Sequence, residues 1–144
     1  MKKTNMIFQL FLILFVLPQT VFAASNYYVV ANIGNIDNSI SKSELRDVYL
    51  GKKTFWPDNS RVNFSLVNHG NPNTEKFIAE VLDQSSDEFN RYWRRKLFSG
   101  SGVPPQRFNS EQELLEFVGK QKGAIGIVYG ASYRTQNLKY LPVN

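Results

Sequence analysis

One stretch, RVNFSLVNHGNPNTEKF from Arg61 to Phe77, restricts the architecture more than any other. Arg61–Val67 alternates, with Val62, Phe64 and Leu66 on one face and Asn63 and Ser65 on the other. A period of two predicts a strand. Asn68-His69-Gly70 is turn chemistry. Asn71 suits an N-cap, and Pro72 suits the first helical position, where a missing N–H costs nothing. Phe77, Ile78, Val81 and Leu82 then fall on one apolar stripe of a helix. A strand feeding a helix through so short a loop puts the helix N-terminus at the carboxyl end of a sheet. Such an end is either an ordinary βα turn or a set of unpaired N–H groups facing an anion, worth about 0.3–1 kcal/mol when exposed.

The rest of the chain repeats the alternation. Tyr27–Asn32 is a β-rich run before Gly34 and predicts a buried first strand. Ser41 to Glu44 reads as a capping box, followed by Leu45, Val48 and Tyr49 at helical spacing and Gly51 as a stop. Trp56-Pro57-Asp58-Asn59 reads as a turn beneath an anchored aromatic. Ser85 to Glu88 and Ser110 to Glu113 are two further capping boxes. The first leads Phe89, Tyr92, Trp93 and Leu97; the second leads Leu114, Leu115 and Val118. Residues 98–105 hold two Gly and two Pro and predict neither helix nor central strand. Gln106-Arg107-Phe108 reads as a short strand. Gly119 to Gly123 breaks the last helix. Ala124–Tyr129 predicts a buried strand, in which Gly126 marks the close approach of another backbone, and Leu138–Val143 predicts an edge strand. Strands alternating with helices make the fold class α/β. Phe77, Val81, Trp93 and Ile127 are expected in the core.

The first residues read as a targeting segment. Lys2 and Lys3 precede a run from Met6 to Leu17 that is apolar except for Gln9, and Val21-Phe22-Ala23 offers small-residue cleavage chemistry. About a dozen apolar residues are too few to span a bilayer. Residues 1–23 are therefore expected to be a signal peptide, and residues 24–144 a single domain. Removing the leader leaves 121 residues with fifteen basic and twelve acidic side chains, a formal charge of +3. So mild a charge, without a concentrated stripe, does not point to nucleic acid. With no Cys the chain has neither disulfides nor a lipid-anchored cysteine, and export to a bacterial periplasm is expected.

Catalysis finds little support. His69 is the sole histidine, no serine-hydrolase motif surrounds it, and no carboxylate pair or metal-ligand spacing stands out. The chain is read as a non-enzyme with no cofactor and no metal. Arg91, Arg94, Arg95 and Lys96 interleave with Tyr92 and Trp93. They either grip an acidic partner or phosphates, or form the solvated face of a helix whose Phe89 and Trp93 point inward. Residues 99–102, Ser-Gly-Ser-Gly, are either a flexible connector or a nest of hydroxyls and amides for an anion.

Together these pieces resemble a known family. SKSELRDVYLGKKTFW (Ser41–Trp56), the strand–loop–helix from Val67 to Phe77, GAIGIVY (Gly123–Tyr129) and Trp93…Phe98-Ser99-Gly100-Ser101-Gly102…Pro104-Pro105 occur in the order found in bacterial periplasmic phosphate-binding proteins. The resemblance is to a short, single-domain branch of that family. It implies one lobe of the type II periplasmic binding protein fold, a mixed sheet flanked by helices, in a solute-binding-like protein for phosphate or a related oxyanion. It also implies a membrane transporter or sensor as partner. An interaction module of the same fold, docking a periplasmic or membrane protein, is the alternative. Full-length relatives hold phosphate with a Ser-Gly-Thr run and an Arg four residues before that Ser. Here the run aligns with Asn71-Pro72-Asn73, and the Arg position falls at Val67. The expected ligand residues are Gly70, Asn71, Asn73 and Thr74 at the helix start, with Ser99, Gly100 and Ser101 as a second wall. Without the Arg, such a site predicts roughly millimolar affinity, about −4 kcal/mol.

Overall fold

The computed structural model describes residues 27–32, 34, 38–130 and 137–144. The proposed leader lies outside these residues. The strands are β1 (Tyr28–Asn32), β2 (Asn63–Val67), β3 (Gln106–Phe108), β4 (Ala124–Val128) and β5 (Leu138–Leu141). The helices are α1 (Lys42–Tyr49), α2 (Pro72–Leu82), α3 (Ser86–Phe98) and α4 (Glu111–Lys120). They build one mixed five-stranded sheet in the order β3-β2-β4-β1-β5. β2 runs parallel to β3 and β4, whereas β1 is antiparallel to β4 and β5.

Both faces of the sheet are covered. One core gathers Leu45, Val48 and Tyr49 of α1, Phe77, Ile78 and Val81 of α2, and Phe89 and Trp93 of α3, against Val29, Leu66, Ile125 and Ile127. The second lies under α4, where Leu114, Leu115 and Val118 meet Val30, Val67, Ala124 and Val128. All four expected core residues, Phe77, Val81, Trp93 and Ile127, are buried. Covering the second face changes the reading of β2. Ser65, expected on a polar face, is fully buried and donates its hydroxyl to the Ile125 carbonyl at 3.0 Å. That bond removes most of the penalty of burying the hydroxyl.

The helix starts follow the Ser signals, with local differences. Ser85 and Glu88 form a complete capping box. At α1, Ser41 accepts from the Glu44 amide at 3.0 Å, but the Glu44 carboxylate pairs with Lys53 instead of reaching back. At α4, Glu113 accepts from the amide of Asn109, one residue before the N-cap Ser110. Gly119 lies inside α4 rather than ending it. Gly126 is approached by side chains, not by another backbone. A Cβ there would sit 2.5 Å from Leu114 Cδ2 and 2.9 Å from Ser65 Oγ. Trp56 is anchored as expected: it is buried and donates Nε1–H to the Gly123 carbonyl at 2.9 Å.

The connections place the crevice. From β2 the chain crosses to β3 through α2 and α3 on one face, and from β3 to β4 through α4 on the other. The loops leaving β2 and β3 therefore part in opposite directions at the carboxyl ends of neighbouring parallel strands. That divergence is where open α/β sheets bind ligands.

Candidate functional site

The start of α2 is already occupied by the protein's own cap. The Asn71 side-chain oxygen accepts from the amides of Asn73 at 3.0 Å and Thr74 at 3.4 Å. The Thr74 hydroxyl is buried and donates to the Val67 carbonyl at 3.3 Å. The amides expected to be free are thus satisfied, because an Asn at the N-cap folds its carbonyl oxygen back over the first turn. An anion at this helix must displace Asn71 Oδ1, an N-cap interaction of about 0.5–2 kcal/mol. Pro72 supplies no donor, and Gly70 takes a positive φ of 79° in an exposed turn. The Tyr129 hydroxyl donates to the Asn73 carbonyl and braces the same turn.

Residues 99–101 form a helix C-cap rather than an anion nest. The amides of Ser99, Gly100 and Ser101 donate to the carbonyls of Arg95, Leu97 and Lys96. Both hydroxyls also turn to the Lys96 carbonyl, Ser99 at 3.1 Å and Ser101 at 3.4 Å. Gly100, with φ 67°, makes the left-handed turn that permits this. The donors expected to form a second wall are spent on the end of α3, where the helix dipole is negative and opposes an anion. Gly100 and Ser101 line a cavity of about 710 Å³ with Thr54, Asn63, Trp93 and Gln106, whereas none of Gly70, Asn71, Asn73 and Thr74 lines it. The structure does not bring the two groups of expected site residues together.

It brings together a different set. A groove of about 390 Å³ is lined by His69 of the β2–α2 loop, Asn90, Trp93, Arg94 and Leu97 of α3, Pro104 and Pro105 before β3, and Arg107 within it. Register explains the position of Arg107. It pairs with Leu66 of β2, so its side chain shares the α3 side of the sheet. There the guanidinium donates to the Val67 carbonyl at 3.3 Å and lies 5.7 Å from the centre of the Phe89 ring. Arg107 is half-buried, and among the described residues no carboxylate lies within 4 Å of it. Burial presses its pKa downward, yet an arginine stays charged at any ordinary pH. His69 sits close enough to feel that charge. Burial first, and Arg107 second, hold its imidazole below the ordinary histidine value, while Glu75 opposes them. Asn90 Nδ2 lies 3.4 Å from His69 Nδ1.

The groove therefore offers a fixed cation, an imidazole next to it, a second guanidinium from Arg94 and an amide from Asn90. This donor set suits a small oxyanion. Arg107 escaped the sequence reading because its place depends on a strand pairing forty residues away. The one local signal was an Arg inside a short, otherwise strand-like tripeptide. Among the described residues no group of His, Cys, Asp and Glu could hold a metal, and no helix is long and apolar enough to cross a membrane.

No family model matches the sequence, and no curated protein does. Solved structures do match by fold. A phosphate ABC transporter substrate-binding protein with bound phosphate from Clostridium perfringens superposes with a TM-score of 0.64 at 16% identity. The match covers 81% of this chain and 44% of that one. PstS from Borrelia burgdorferi gives 0.63 at 15% identity, covering 82% and 47%. An ABC-type phosphate transport receptor from Vibrio cholerae gives 0.60 at 14%, covering 81% and 45%. The chain spans less than half the length of these proteins. The five-stranded mixed sheet and its four helices have the fold of a single lobe of a periplasmic phosphate-binding protein.

Proposed function

We propose that the chain is an exported, non-catalytic, solute-binding-like protein of the periplasm that takes up phosphate or a related oxyanion weakly. The observation that carries this reading is Arg107, half-buried beside the carboxyl ends of two parallel strands with no carboxylate partner among the described residues. The anion sits in the groove between Arg107, His69, Asn90 and Arg94. Gly70 and Asn71 follow His69 in the chain and lead into the capped first turn of α2, with Asn73 and Thr74. One lobe leaves the other side of the anion open to water, which keeps affinity near the millimolar range, about −4 kcal/mol. Titrating the purified protein with phosphate and with sulfate, followed by NMR, tests this. The signals of the Arg107 side chain, His69 and Gly70 should move together and less so at high salt. Movement confined to other residues would overturn the location. Micromolar binding by the monomer would overturn the picture of an open, half-built site.

Export itself is checked by intact mass. Periplasmic material should lack residues 1–23 or 1–24, and a full-length mass would refute it. A second reading, a docking module that keeps the fold without the ligand, draws on the self-capped state of α2 and residues 99–101. It is the reading to keep if the phosphate titration moves nothing.

A further inference from the structure

The outward face of α3 carries a feature that the anion groove uses only at its edge, through Arg94 and Leu97. Arg91, Arg94, Arg95 and Phe98 are spaced i, i+3, i+4, i+7 and so share one arc of the helix. That arc is opposite the buried Phe89 and Trp93. All three arginines are exposed, and among the described residues none has a carboxylate within 4 Å, although Glu88 feels the charge of Arg91, while Lys52, Lys53, Lys76, Lys120 and Lys122 each have one. Large apolar residues are exposed at the same end. Phe98 is 83% exposed, Val103 62% and Leu97 54%, three of the five large hydrophobics that the described surface exposes. The turn at Gly100 separates Leu97 and Phe98 from Val103 in the chain, and Leu97 and Val103 line the same cavity.

The order along the helix axis matters. Phe98 ends the helix, Arg95 stands about 4.5 Å behind it and Arg91 about 10 Å behind. An apolar tip backed by guanidiniums at this depth matches the boundary of a bilayer, where apolar side chains enter the first 5–10 Å or so and cations stay among the headgroups. A second copy of the chain fits poorly, since a twofold contact through this face would set arginines against arginines. We infer that the α3 tip is a docking surface for an anionic phospholipid membrane, with Phe98, Leu97 and Val103 entering the interface and Arg91, Arg94 and Arg95 on the headgroup phosphates.

Flotation with vesicles tests it, using protein recovered after export whose mass shows the leader removed. The protein should float with vesicles of phosphatidylcholine and phosphatidylglycerol at 3:1 and stay behind with phosphatidylcholine alone. Each arginine should contribute about fivefold to the partition coefficient, so R91Q/R94Q/R95Q should lose roughly 100-fold. Phe98→Ser should lose about tenfold. All these residues are exposed, so the variants should melt with the wild type. A fluorophore on Phe98→Cys should shift to the blue with anionic vesicles, which locates the contact independently of bulk binding. Equal flotation of wild type and variants, or no flotation with anionic vesicles, would overturn the proposal. Retention on immobilised polyglutamate without vesicle binding would overturn it too, by assigning the face to an acidic protein.

Discussion

Arg107, half-buried with no carboxylate within 4 Å among the described residues, carries a desolvation cost that the Val67 carbonyl and the Phe89 ring offset only in part. Arg107→Met should therefore leave the melting temperature unchanged or slightly higher, because its methylenes still pack over the ring. The same change should weaken phosphate binding by about tenfold or more, since a charge-assisted hydrogen bond is worth about 1.5–3 kcal/mol. Calorimetric titration at low salt, alongside melting curves, separates the two effects. His69 provides a pH signature. Its folded-state pKa lies below the ordinary value, so the unfolded chain takes a proton more readily as pH falls through the histidine range. Stability without ligand should drop across that window, and His69→Gln should flatten the slope. Bound sulfate, a dianion throughout this window, should oppose the drop by raising the imidazole's pKa, so sulfate affinity should increase on acidification in the wild type and not in His69→Gln. Neither residue's part was legible in the sequence. His69 was visible as a loop residue, but what it does depends on Arg107 and Asn90, brought beside it by tertiary packing.

Helix starts were the most legible elements. Ser41, Asn71, Ser85 and Ser110 cap the four helices where the spacing predicted them, because capping is a contract between residues three apart. What the spacing could not show was the use of each second partner. Glu44 is drawn to Lys53, nine residues on, and the box at α1 stays half-made. The same locality misled the reading of α2. The sequence revealed an N-cap, and the physics of an N-cap is to consume the very amides an anion would need. Asn71→Gly tests the conflict. Glycine at the N-cap costs only a few tenths of a kcal/mol. It uncovers the amides of Asn73 and Thr74, so phosphate affinity should rise while stability barely changes. Unaltered affinity would mean that the anion never touches this turn.

At the scale of the whole molecule, fold class was readable from alternation, whereas strand order was not. The alternation of β2 marked it as a strand without saying where it stands in the sheet, and it is an interior strand between β3 and β4. Pairings of this kind join distant segments and leave no periodic trace. The tight stacking of α4 on β4 is the clearest case. Gly126→Ala should cost about 1–3 kcal/mol by forcing Leu114 off its position. In G126A/L114A the contact with Leu114 is gone and only that with Ser65 Oγ is left, so the penalty of the pair should fall below the sum of the two single changes in a double-mutant melting cycle. The sheet order has one more effect, on synthesis. β1 emerges first, but both its neighbours, β4 and β5, belong to the last quarter of the chain. Until residue 124 and beyond have left the ribosome, the opening strand has no edge to join. β1 must remain unlatched for most of the chain's translation, and a chain whose first strand is sealed last is open for longest to being passed through a narrow pore before it folds.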